Sequence, residues 1–275
     1  MSTHSRTAIH PLVRKLESIC DLSNDARAAV ASLPARIMEL KADQDIVREG
    51  DRTSRSCGLI EGFACSFKMT GEGRRQITAF HVAGDIPDLQ SLHLEVLDTG
   101  VSTLTPCTVA FVQHDDLREL CAEIPSITAA FWRATLIDAA IFREWTTNVG
   151  QRQAFSRTAH VLCEFAVRLR AIGLVDGDTF DLPITQTELA DATGMSVVHT
   201  NRTLQELRAR KLIAWKGASL EILNWDELAA NGDFDPTYLH LNSRKRLQRR
   251  TSERGDVLPK EERCLNLPCR AGISN

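Results

Sequence analysis

The chain has 275 residues, and its 43% apolar content is enough for two modest hydrophobic cores. Its 33 basic and 36 acidic residues give a net charge of −3, which excludes a bulk electrostatic attraction to nucleic acid, so any DNA contact needs a local basic patch. The sequence shows no secretion signal and no run of about eighteen apolar residues, so we expect a soluble, cytoplasmic protein without a membrane span.

The N-terminal half is predicted to hold a short helical segment and then a β-roll. Residues 1–32 carry apolar side chains at helical spacing. Residues 33–126 change to short alternating segments that are separated by glycine-containing turns, and two of these segments, 63–69 and 76–82, are predicted strands. This pattern favours a compact antiparallel roll or barrel.

Residues 127–152 are predicted to form a long dimerisation helix, with Gly150 interrupting it near its end. The stripe assigned to this helix consists of Ala130, Ala134, Ile137, Ile141 and Trp145. Further apolar residues, Phe131, Leu136 and Phe142, lie off that stripe. A helix that is apolar on two sides needs two partners, so we expect one face to pack on the roll and the other on a second copy of the chain. The alternative is an ordinary core helix.

The segment that begins at Thr185 predicts a helix-turn-helix within a DNA-binding domain of residues 153–232. Thr185 and Glu188 have the spacing of a capping box that starts one helix. Gly194 supplies the backbone freedom of a tight turn, and Ser196 caps a second helix that runs to about residue 210.

The second helix is predicted to read the DNA major groove. Its inward stripe is Thr200, Leu204 and Leu207. The residues expected to contact bases are Val198, Asn201 and Arg202. An arginine can make a bidentate contact to guanine, an asparagine can pair with adenine, and a valine can touch a thymine methyl group.

Other residues are expected to contact the DNA backbone or to support the motif: Thr185, Gln186, Ser196, His199, Gln205, Arg208 and Lys216. Of these, His199 could equally be a solvated surface residue, and Gln205 lies farther along the helix. Lys216 precedes a predicted β-wing, and Asn224 or Asp226 caps a last short helix. Residues 233–275 form a predicted extension, largely disordered and basic toward its end.

In this order of elements the chain resembles the Crp/Fnr family of transcription regulators. The most specific part runs from 182 to 213, and the roll segments 48–51, 73–77 and 84–85 follow in the family's order. The resemblance implies an α+β fold, with an N-terminal antiparallel β-roll of the jelly-roll (double-stranded β-helix) type, a long dimerisation helix and a C-terminal winged helix-turn-helix. It also implies a homodimer on pseudo-palindromic double-stranded DNA that contacts RNA polymerase and activates transcription, although repression is compatible with the sequence.

The resemblance gives little support to the family's cofactors. Cyclic-nucleotide binders of this fold place an arginine on the cyclic phosphate, but the stretch from Gln76 to Gln113 contains none, so cyclic AMP is disfavoured. The oxygen-sensing branch clusters cysteines near its N-terminus, where Cys20 stands alone, so an iron-sulfur cluster is disfavoured too. Haem is not expected, because scattered histidines are usually surface or core residues; the candidates are His81, His93 and His114.

Eight cysteines lie scattered without a C-x-x-C pair, so we expect buried thiols and no metal site. A redox pair of Cys57 with Cys65, or of Cys107 with Cys121, stays open. Two other functions compete with DNA binding: a ligand-binding module that gates a partner protein, and an enzyme with a cysteine or histidine nucleophile. No motif-linked base or phosphate loop favours the enzyme, so no catalytic residue is assigned.

Overall fold

The computed structural model describes residues 10–242. The predictions for residues 1–9 and 243–275, including the basic end of the extension, lie outside the described residues, as do Cys264 and Cys269. Within the described part, no helix is long and apolar enough to cross a membrane.

Two short helices precede the roll: α1 (His10–Ile19) and α2 (Asn24–Ala31). Helix α2 begins at Ser23, whose side chain accepts a hydrogen bond from the Ala26 amide. Helix α1 buries its apolar side chains and lies directly over strand residue Gly58, where a Cβ atom would come within 2.9 Å of the Leu12 side chain. This glycine therefore lets the N-terminal helix approach the roll closely.

The roll is built from seven antiparallel strands. They are β1 (Ala35–Leu40), β2 (Asp45–Val47), β3 (Arg55–Glu61), β4 (Ala64–Met69), β5 (Arg75–His81), β6 (Gly100–Thr103) and β7 (Cys107–Gln113). One sheet has the order β1-β7-β3 and the other the order β2-β6-β4-β5, with Ala64 opposite His81 in the β4–β5 hairpin. The predicted roll and its α+β class are confirmed.

Two helices follow the roll: α3 (His114–Glu123) and α4 (Pro125–Gln151). Helix α3 was not predicted, because its sequence buries only three side chains and lacks a long apolar stripe. Pro125 begins α4, where its missing N–H costs no helical hydrogen bond. The prediction that Gly150 interrupts α4 was wrong: Gly150 lies in its last turn, and the chain leaves helical geometry at Arg152.

The stripe predicted on α4 lies inside the protomer, so it is the face that packs against the protomer's own core. Ile137, Ile141 and Trp145 are about 5% exposed or less, Ala130 is 2% exposed, and Ala134 packs against the same core. The Trp145 ring stands edge-on to Phe80 of β5, with 5.6 Å between centroids. Of the apolar residues off that stripe, Leu136 (56%) and Phe142 (52%) are exposed, whereas Phe131 is 6% exposed and packs in the core; Trp132 (68%) is exposed beside them.

The C-terminal part contains a winged helix-turn-helix. Its elements are α5 (Ala154–Ala171), β8 (Thr179–Asp181), α6 (Gln186–Thr193), α7 (Val197–Ala209), β9 (Ile213–Lys216), β10 (Ser219–Ile222) and α8 (Trp225–Asn231). The three strands form an antiparallel sheet in the order β8-β10-β9.

The described residues of the predicted extension pack against α5. A 3-10 turn spans Pro236–Leu239 and buries Leu239. Tyr238 donates its hydroxyl hydrogen to Glu164 of α5 at 2.8 Å and stacks on the His160 ring. The aromatic and leucine side chains of this segment thus find partners on α5 that its local sequence does not reveal.

Candidate nucleic-acid interface

Helix α6 starts with the predicted capping box. The Thr185 hydroxyl accepts a hydrogen bond from the Glu188 amide, and the Glu188 carboxylate accepts one from the Thr185 amide. Two amides that the helix itself cannot satisfy are therefore paired. The same geometry leaves Glu188 95% buried, with its carboxylate hydrogen-bonded to the Thr185 amide.

The turn between α6 and α7 depends on Gly194, which has a φ of +65°. Side chains with a Cβ atom resist this left-handed conformation. Ser196 then caps α7 by accepting a hydrogen bond from the His199 amide at 3.2 Å. The turn is short, so α7 starts at a fixed place relative to α6.

Helix α7 buries the predicted inner stripe and exposes the predicted base-reading side chains. Thr200, Leu204 and Leu207 are at most 1% exposed, and the Thr200 hydroxyl is satisfied by the Ser196 carbonyl at 3.1 Å. On the opposite side, Val198 is 72% exposed and Arg202 is also exposed. This face can enter a major groove without disturbing the core.

Asn201 is held by the preceding helix. Its side-chain amide donates a hydrogen bond to Gln186 Oε1 at 2.9 Å. Gln186 was predicted as a supporting residue, and here it orients an amide group that can pair with adenine. The second hydrogen of the Asn201 amide and its carbonyl oxygen are left for a base edge.

The remaining predicted backbone contacts surround this face. Lys216 is exposed at the end of β9, on the wing, and Arg208 is exposed on α7 near the Trp215 carbonyl. His199 and Gln205 are exposed as well. Within residues 10–242, neither Arg202 nor Lys216 belongs to an ion pair, so both cations are available to an anionic partner.

Two features of the interface were missed from the sequence. Val197 is 44% exposed beside Val198, so the first turn of α7 offers a larger apolar surface than predicted; the adjacent valines after the Ser196 cap are the signal. Arg157 of α5 lies behind the turn and donates to the carbonyls of Thr193, Val149 and Arg152. No local pattern identifies it, because its partners lie at the ends of two other helices.

A buried ionic cluster attaches α5 to the roll. Arg168 is 6% exposed and pairs with Asp85 at 2.9 Å and with Glu164 at 3.1 Å, while Lys15 of α1 pairs with Asp85 at 2.6 Å. Burial by itself raises the pKa of Asp85, but the Lys15 and Arg168 charges outweigh it and hold the pKa well below its usual range. The DNA-binding domain is therefore joined to the roll by buried ion pairs. Separating these pairs would leave a buried charge without a partner, which costs free energy.

The candidate redox cysteines are buried or partly buried, and the candidate haem ligand His81 already has a hydrogen-bond partner. Cys57, Cys65 and Cys107 are buried free thiols, and burial raises the pKa of Cys65 to about 11 and that of Cys57 and Cys107 above the usual value. Cys121 is a partly buried free thiol with a raised pKa. His81 shares a hydrogen bond with Ser66 at 2.7 Å, and burial lowers its pKa to about 4.

Comparisons with known proteins divide the chain into the same two parts. Residues 37–124 match the cyclic nucleotide-binding domain family, and residues 156–230 match the family described as the Crp-like helix-turn-helix domain.

Relatives with similar sequences and a similar solved structure extend this likeness over most of the chain. The transcriptional activator protein Anr of Pseudomonas protegens is 23% identical over 74% of this chain and 82% of its own length. FnrL of Cereibacter sphaeroides, also named a transcriptional activator protein, is 26% identical over 64% and 72%. The structure of FixK2 from Bradyrhizobium japonicum superposes with a TM-score of 0.66 at 21% identity, covering 72% of this chain and 97% of that one.

Proposed function

The chain belongs to the Crp/Fnr family of transcription regulators, and on that premise we propose that it binds a pseudo-palindromic operator as a homodimer and activates transcription. One observation carries the proposal: α7 buries Thr200, Leu204 and Leu207 while it presents Val198, Asn201 and Arg202 to solvent. These three side chains have the chemistry that reads thymine, adenine and guanine edges.

The homodimer is supported by the exposed face of α4. Trp132, Leu136 and Phe142 are more than half exposed on the side of the helix that faces away from the protomer's core. Three large apolar side chains on one exposed helix face are typical of an interface. A second α4 packed on this face buries them and relates two α7 helices by a twofold axis, as a palindromic site requires.

Activation is supported by the names of the relatives, since Anr and FnrL are both named transcriptional activator proteins. Contact with RNA polymerase is part of the proposal. Neither of these relatives is named as an enzyme. A regulator of bacterial promoters acts where the chromosome lies, in the cytoplasm. The exposed surface of the roll is the part that such a dimer leaves free for the polymerase once DNA occupies α7 and the wing.

The roll is proposed to bind no cyclic nucleotide, because its residues do not fit one. The stretch between Gln76 and Gln113 holds neither arginine nor lysine to pair with a cyclic phosphate. The lysine that lies closest to this stretch in sequence, Lys68, pairs with Glu49 at 2.6 Å and donates to the Asp98 carbonyl. The roll interior is filled by buried side chains: Leu40, Cys57, Leu59, Ala64, Cys107, Val109 and Phe111.

We also propose that the described residues hold neither an iron-sulfur cluster nor haem. Within residues 10–242, no group of three histidine, cysteine or acidic side chains is placed to hold a metal ion. Cys20 is the N-terminal cysteine of this part, and it donates to the Leu16 carbonyl at 3.2 Å. We therefore propose a regulator whose roll serves as a scaffold for the DNA-binding domain.

The experiment that tests this function is selection of DNA from a random pool by the purified full-length protein, with the bound fraction sequenced at two salt concentrations. We expect a palindrome whose half-sites lie about one helical turn apart. An R202A variant that selects the same palindrome with the same strength contradicts the assignment of α7. Wild-type protein that enriches no sequence, at low or high salt, contradicts sequence-specific DNA binding.

A further inference from the structure

Strand β5 of the roll contacts the first helix of the helix-turn-helix directly. Arg75 Nε lies 2.8 Å from Asp191 Oδ2, and Gln76 Nε2 donates to the Ala192 carbonyl at 3.2 Å. Both side chains of the ion pair are about a quarter exposed, 27% for Arg75 and 25% for Asp191, so the pair is partly shielded from solvent. We call this set of four residues the β5–α6 contact.

The β5–α6 contact ends at the turn from which the recognition helix starts. A Cβ atom on Gly194 would lie 3.3 Å from Val149 Cγ1, 3.8 Å from Arg157 Nη1 and 3.9 Å from Gln76 Oε1. The turn is therefore packed at the point where the roll, the long helix α4 and α5 meet. A movement of any of these three elements displaces the start of α7.

Arg157 holds the same turn from behind. Its guanidinium donates to the Thr193 carbonyl at the end of α6, and to the carbonyls of Val149 and Arg152 at the end of α4, at 2.8 and 2.9 Å. Carbonyls at a helix C-terminus carry partial negative charge and favour a cation. Arg157 thus joins α6 to α4, while the β5–α6 contact joins α6 to the roll.

From this geometry we infer that Arg75 and Gln76 are positioning residues for DNA recognition, which act through Asp191 and Ala192 and touch no DNA themselves. The inference rests on the proposed function. A dimer that reads two half-sites needs both α7 helices at a fixed separation and angle. The roll contributes to this separation and angle directly within each protomer, and the paired α4 helices contribute to them between protomers.

Charge reversal tests the inference with three variants: R75E, D191R and the double variant R75E/D191R. R74E is the matched control, since Arg74 is the neighbouring residue, its side chain is 82% exposed, and its guanidinium lies 3.6 Å from the equally exposed Glu72. Affinity is measured on the selected palindrome and on versions with one or two base pairs added between half-sites. Thermal unfolding of each variant is recorded alongside.

We expect R75E and D191R each to bind the selected palindrome about tenfold more weakly than wild type and to discriminate less between half-site spacings. The double variant should recover an affinity within about threefold of wild type. D191R is the informative single variant, because an added positive charge near DNA strengthens non-specific binding. Loss of affinity in D191R therefore cannot be a simple charge effect. R74E should bind as wild type does.

Three outcomes overturn the inference. The first is unchanged DNA binding by both single variants. The second is a double variant that unfolds at the wild-type temperature but does not recover DNA affinity. The third is a shallower salt dependence of DNA binding by R75E, which would mean that Arg75 touches a phosphate. If a single variant fails to fold, R75Q and D191N replace the reversals and are judged by the same spacing preference. Wild-type protein that selects no palindrome contradicts the proposed function itself, which is a distinct result.

Discussion

Gln186 at the start of α6 accepts a hydrogen bond from the Asn201 amide of α7 at 2.9 Å, so the first helix of the motif orients a base-reading side chain of the second. Replacing Gln186 with alanine frees the Asn201 side chain to rotate. A neutral hydrogen bond of this kind is worth about 0.5–1.5 kcal/mol. We therefore expect Q186A to weaken specific binding about 3- to 10-fold, and N201A to weaken it at least as much.

The measurement is a titration of each variant against the selected operator and against the same operator changed at one base pair at a time. Q113A is the matched control, because Gln113 is an exposed amide at the end of β7, in the roll. Its affinity should stay within about twofold of wild type. Equal losses for Q186A and Q113A would contradict the orienting role of Gln186.

Arg202 and Lys216 are both free of ion pairs within the described residues but lie on different elements, and we expect their variants to differ in kind. R202A should cost about 1–3 kcal/mol and relax the preference at one base position, since its partner is a base edge. K216A should weaken binding to all sequences alike and lower the salt slope by about one, since its partner is a phosphate.

Affinities at several salt concentrations separate these two effects. A K216A variant that changes sequence preference, or an R202A variant that leaves it intact, would show that the two roles are exchanged. Either result would place the wing, and not α7, in the groove.

The helix-turn-helix could be predicted from its sequence because each of its signals is local. Thr185 and Glu188 cap one helix, Gly194 makes the turn and Ser196 caps the next, all within twelve residues. The alternation and turn glycines of the roll are local in the same way. These signals depend on the backbone conformation that a few neighbouring residues favour.

The contacts between elements could not be predicted in this way. Arg75 and Asp191 are 116 residues apart, and nothing near either one indicates its partner. Helix α4 shows the same limit: its periodicity marks two apolar sides, but periodicity cannot tell which side the protomer's own core will cover. The sequence places Trp145 on the apolar stripe but does not say what covers it; in the structure it contacts Phe80 and Glu164 of the same protomer.

The buried and exposed faces of α4 predict that the neighbouring residues Leu136 and Ile137 have opposite roles. L136E places a charge on the exposed face and should convert the dimer to monomers without unfolding the chain. I137A creates a cavity in the protomer core and should lower the free energy of unfolding by about 2–5 kcal/mol while the protein remains dimeric. Sedimentation equilibrium and denaturant unfolding distinguish the two variants. A dimeric L136E with a monomeric I137A would show that the stripe of Ile137, and not the face of Leu136, forms the dimer interface.

Asp88 gives the protein a pH dependence that one substitution should remove. The carboxyl is 1% exposed and accepts a hydrogen bond from the Cys57 amide at 2.8 Å, and burial raises its pKa from 3.8 to about 7. The folded state therefore binds a proton that the unfolded state has released between about pH 4 and pH 7. Because the folded state binds more protons in that window, its stability falls as the pH rises, by up to about 4 kcal/mol, and the loss is complete above pH 7.

D88N keeps the acceptor for the Cys57 amide and cannot ionise. The free energy of unfolding of D88N minus that of wild type should therefore increase from pH 4 to about pH 7 and then level off. Taking this difference cancels other titrating groups, including His81, whose pKa is lowered to about 4 by burial and whose contribution runs in the opposite direction. Urea unfolding from pH 4 to pH 8 measures the difference. A constant difference across this range would mean that the Asp88 carboxyl does not titrate in the window, and that its proton is not held by burial.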